Sequence, residues 1–72
     1  MYYKLVEITD FDANEELYST KAIIFVIMAN NKQEAAKLFK YLKYANVIVY
    51  SSTDIIEIAT KEEYEAFLDS LI

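Results

Sequence analysis

The chain has 72 residues, a formal net charge of −5, and no Cys, His, Gly or Pro; all of its positive side chains are Lys. That length makes one small domain, held by its core without disulfides or thiolate–metal staples. The missing residue types exclude an imidazole base or ligand, a thiol nucleophile, a Gly-rich phosphate loop and a bidentate Arg clamp.

Residues 2–9 (YYKLVEIT) are rich in β-formers and alternate loosely, which predicts a strand. Residues 10–19 (DFDANEELYS) read as an acidic connection longer than a tight hairpin turn, with Asp12 placed to cap a single helical turn. Lys21 to Ala29 (KAIIFVIMA) is apolar in eight of nine positions. Ala22, Ile24, Val26 and Met28 fall on one face, and Ile23, Phe25, Ile27 and Ala29 on the other. Both faces ask for cover, so this stretch is expected to be the central strand.

Asn30 or Asn31 caps the next element. Asn31 with Glu34 has capping-box spacing, and Ala35, Leu38, Phe39 and Leu42 make one apolar stripe of a helix ending near Tyr44. Asn46 is the left-handed stop in a chain without Gly. Val47 to Tyr50 and Ile55 to Ala59 read as strands around a Ser51–Asp54 turn. Thr60 and Glu63 form a capping box for a last helix with Tyr64, Phe67, Leu68 and Leu71 on one face.

The predicted fold is α+β, one domain over 1–72. Its order is β-β-α-β-β-α, with a four-stranded, mainly antiparallel sheet and two helices packed on one face. Two helices on one side leave the other sheet face uncovered. Self-association is therefore expected through Ala22, Ile24, Val26 and Met28 or through the alternate set, and periodicity does not choose between them.

Charge is spread unevenly. Residues 1–20 carry one Lys and five acids, residues 31–44 four Lys and one Glu, and residues 60–72 one Lys and four acids. Lys37, Lys40, Tyr41 and Tyr44 combine cations and aromatic rings on one helical side. That side suits contact with an acidic protein surface or a single nucleic-acid strand. The acidic balance of the rest weighs against nucleic acid and for a solvated or protein-facing helix. Asp10, Asp12, Glu15 and Glu16 form an acidic cluster that serves either partner contact or solubility. Asp10, Asp12 and Asn14 open like a calcium loop, but Glu15 stands where that loop needs Gly and Lys21 where it needs Glu.

No enzyme, catalytic residue, metal or cofactor is expected. Tyr-rich, charged surfaces point instead to a protein-interaction module, homodimerisation included in that reading, used as an inhibitor or regulator of a larger protein. A structural or accessory subunit is the alternative, and a nucleic-acid binder using residues 31–44 a second one. Abundant Ile, Lys, Asn and Tyr fit an AT-rich source such as a phage or other mobile element of a low-GC bacterium. The apolar run is too short to span a bilayer, and Met1-Tyr2-Tyr3-Lys4 opens no signal sequence, so a cytoplasmic protein without membrane contact is expected.

Overall fold

A computed structural model describes residues 1–13, 16–51 and 53–71, the side chains of residues 11–13 and 18 excepted. The order is β1 (Tyr2–Ala13), β2 (Glu16–Met28), α1 (Lys32–Tyr44), β3 (Ile55–Ala59) and α2 (Lys61–Ser70). The sheet is antiparallel and three-stranded, in the order β2-β1-β3. The α+β class holds, but the predicted fourth strand does not join the sheet. Val47–Tyr50 lies outside the ladder, and Ile48 and Tyr50 instead tuck their side chains against the core.

The central strand is β1, and the apolar stretch 21–29 belongs to an edge strand. Strand β1 lines one side of that stretch, and residues Ile24 to Ala29 of it lie between the two helices, while Ala22 and Ile23, beyond the bulge, are exposed. Tyr3 and Leu5 join Ala29, Ala35 and Phe39 in the core beneath α1. Their neighbours Tyr2 and Lys4 meet α2, through a Tyr2–Tyr64 ring contact at 4.8 Å and a Lys4–Glu63 ion pair at 2.7 Å. Successive side chains on a strand point to opposite faces, so α1 and α2 lie on opposite sides of the sheet. The two helices therefore do not share one face, and the uncovered sheet face is corrected with it. Val26, paired with Lys4 on the α2 side, is only 2% exposed.

The first two strands are also longer than predicted, because residues 10–13 and 16–19 continue the ladder from Asp10↔Ser19 to Ala13↔Glu16. Residues 10–13 and 16–19 of the expected acidic connection are thus strand, Asp12 among them, and Asn14 and Glu15 lie outside the described residues. A bulge between Leu5 and Val6 leaves Ile24 without a cross-strand partner. At the same level β3 begins, at the Val6↔Ile55 pair. Beyond it the hairpin continues as a two-stranded arm, and strands exposed to water on both faces can be as polar as a loop.

Both helix starts follow the sequence signals. The Asn31 side chain accepts from the Glu34 amide at 2.8 Å, and Thr60 and Glu63 complete a reciprocal capping box. Helix α1 ends in a Schellman motif. The Asn46 amide donates to Lys43 O and the Val47 amide to Leu42 O, with Asn46 at φ 60. Asn46→Gly should leave stability level or slightly raised. Asn46→Ala, which lacks the tolerance of Asn for that conformation, should lower it by about 1 kcal/mol in urea unfolding.

Phe39 and Leu5 are fully buried, and the core around them is small. Phe39→Ala should cost about 3–5 kcal/mol. That is a large part of the roughly 4–11 kcal/mol expected for a chain this size, so the variant should be substantially unfolded by circular dichroism at 37 °C.

Candidate functional site

A groove lies at the β2 edge, between helices on the two sides of the sheet. Its volume is about 470 Å³. Phe25, Val26, Ile27 and Met28 form the floor. Leu38, Tyr41 and Leu42 of α1 make one wall, and Tyr64, Phe67, Leu68 and Leu71 of α2 the other. Every lining residue is apolar or aromatic. Much of this surface faces water: Tyr41 is 67% exposed, Leu71 62%, Met28 60% and Leu68 44%.

Phe67 closes one end of the groove. Its ring stands 4.6 Å from that of Phe25, beside the bulge, and it also borders Ile23 on the α2 side. A helix covering a bulged edge blocks strand addition there.

The walls differ in charge. Helix α1 carries Lys32, Lys37, Lys40 and Lys43 against Glu34; α2 carries Glu62, Glu63, Glu65 and Asp69 against Lys61. Lys37 lies one turn from Tyr41 and Glu65 one turn from Leu68, with Asp69 one turn beyond Glu65, so the groove has a basic rim and an acidic rim. Lys37, Lys40, Glu65 and Asp69 are all exposed. Glu65 lies 3.9 Å from Lys61 in a loose i,i+4 pair.

Glu63 is turned the other way and fixes α2 to the sheet. It accepts from Lys4 Nζ at 2.7 Å and from the Thr60 amide at 3.1 Å. The Lys4 ammonium, with the Thr60 amide second, holds its carboxyl below the ordinary 4.5. A lowered folded-state pKa gives stability that is fully present above the unfolded value and is lost as pH falls through the folded one. Glu63→Gln should therefore be less stable than the native chain at pH about 7, with the gap closing as both are acidified below the ordinary carboxylate value. Urea titrations across that range read it directly.

Of the residues expected to form a contact surface, Lys37, Lys40, Tyr41 and Tyr44 do share the exposed side of α1, and Tyr41 lines the groove. The acidic residues lie elsewhere. Asp10 is exposed on the arm and accepts from the Ser19 hydroxyl; Asp12 and Glu16 are in its strands. Glu15, like Asn14, lies outside the described residues. Asp10 and Asp12 stand on extended backbone, which does not wrap an ion as a calcium loop does. The proposed self-association set does not form one open face: Ala22 and Met28 are exposed, Ile24 is half-buried at the bulge and Val26 is buried. Sequence periodicity assigned Leu38, Leu68 and Leu71 to core stripes. The signal of a groove was the width of those stripes, since Tyr41 extends the α1 stripe beyond what one sheet face can cover.

No family model matches the chain, and no curated protein or solved structure matches it significantly. Among the described residues no helix is long and apolar enough to cross a membrane.

Proposed function

We propose that this chain is a non-enzymatic protein-interaction module, acting in the cytoplasm as an inhibitor or regulator of a larger protein, of the kind phages and other mobile elements carry. The observation that carries this reading is the open groove at the β2 edge, with apolar walls and charged rims. Exposed apolar surface collected in one place, and rimmed by polar groups, marks contact sites on small proteins. Tyr41 and Tyr64 add the aromatic anchors that dominate such contacts, and Lys37, Lys40 and Tyr44 extend the surface along α1. The basic side of α1 stands beside acidic α2 on a net acidic chain, which favours a protein partner over nucleic acid.

Leu68→Asp places a charge on the groove wall at an exposed position, where the fold tolerates it. Immobilised native chain should retain a specific protein from extracts of the cells that carry the gene. The Leu68→Asp chain should hold that protein at least tenfold less tightly, about 1.4 kcal/mol. Equal retention by both chains overturns the groove as the contact site. A partner that stays bound in equal amount through every purification step would identify a permanent subunit rather than a regulator.

A further inference from the structure

The groove has a feature that selects its occupant. Its two rims are opposite in sign, with an uncharged apolar floor between them. On α1 the exposed Lys37 and Lys40 stand on the outer side of Tyr41, and on α2 the exposed Glu65 and Asp69 stand on the outer side of Leu68, while Glu63 is turned to Lys4. A uniformly acidic or basic partner would be attracted by one rim and repelled by the other. A partner whose own surface is basic on one side and acidic on the other matches both rims, provided that it presents them in reverse order. A second copy of this chain, turned by a two-fold rotation, does so.

We propose that two copies associate through this groove, α1 of each lying against α2 of the other. The inference rests on the reading of the groove as a docking surface and names what docks there. In the dimer, Lys37 and Lys40 of one copy face Glu65 and Asp69 of the other, twice over. Leu38 and Tyr41 of one copy cover Leu68 and Leu71 of the other. The contact is made by the helices, which carry the exposed apolar wall residues. It is also distinct from the sheet face that Ala22, Ile24, Val26 and Met28 were expected to provide, since Val26 is already covered by α2. Complementary charges at the rim fix orientation and partner choice, while the apolar walls supply most of the affinity.

The test uses the full chain and two charge-reversed variants, Lys37→Glu with Lys40→Glu, and Glu65→Lys with Asp69→Lys. All four positions are exposed, and circular dichroism melts confirm that each variant folds. Light scattering after size exclusion should show the native chain as a dimer and each variant at least tenfold weaker in dimerisation. The two variants mixed together should pair again, because each then offers the other the opposite charges at both contacts. A native chain that stays monomeric at several hundred micromolar overturns the proposal. So does a dimer that neither reversal weakens, or reversed variants that fail to pair when mixed. If the native chain is monomeric while Leu68→Asp still abolishes partner capture, self-pairing fails and the groove reading survives.

Discussion

The fold depends on the alternation of side chains along the first five residues of β1. Tyr3 and Leu5 are committed to one helix, and Tyr2, Lys4 and Val6 to the other side of the sheet. A sheet three strands wide offers little area, and covering it on both sides gives so short a chain two thin apolar layers in place of one. The layers differ in kind. The α1 side is a packed cluster around Phe39. The α2 side contains no fully buried helical residue and is fastened by a ring contact, a half-buried ion pair and the capping box that shares Glu63.

This division explains the groove. Helix α1 packs over β1 and β3 and α2 over β2 on the opposite face, and the parts of their apolar stripes that the narrow sheet leaves uncovered border a cleft at the β2 edge. Their apolar stripes are then only partly used by the sheet. Leu38, Leu68 and Leu71 are the unused remainder, and their exposure follows from geometry rather than from loose packing.

What was legible in the sequence was chiefly local. Asn31, Asn46, Thr60 and Glu63 announce where helices begin and end through hydrogen bonds made within a few residues, and each signal is realised. Lateral order was not legible. Within the run 21–29, residues 24–27 and 29 are apolar because helices lie on both sides of the sheet there, and hydrophobicity reports that cover without reporting whether a strand lies alongside. The strand in the middle, β1, carries Lys4 and Glu7 and reads as less central than its neighbour. The arm was hidden for the related reason that a solvated ribbon and an acidic loop share a composition. Of the contact surface, Tyr41 and the Lys residues of α1 were visible as a polar-aromatic side; the opposite wall was not, because its residues also fit a core.

The pairing of β1 has a consequence for synthesis on the ribosome. Residues 2–6 are the first of the sheet to emerge, yet their second neighbour, Ile55–Ala59, follows only after β2 and α1 have been made. Until then the nascent hairpin exposes two free edges, and the apolar face that α2 later covers has no helix to shield it. The acidic residues of the arm travel with that hairpin and give it charge repulsion against neighbouring nascent chains during the interval. The arm's composition thus protects a transient state as well as the finished molecule.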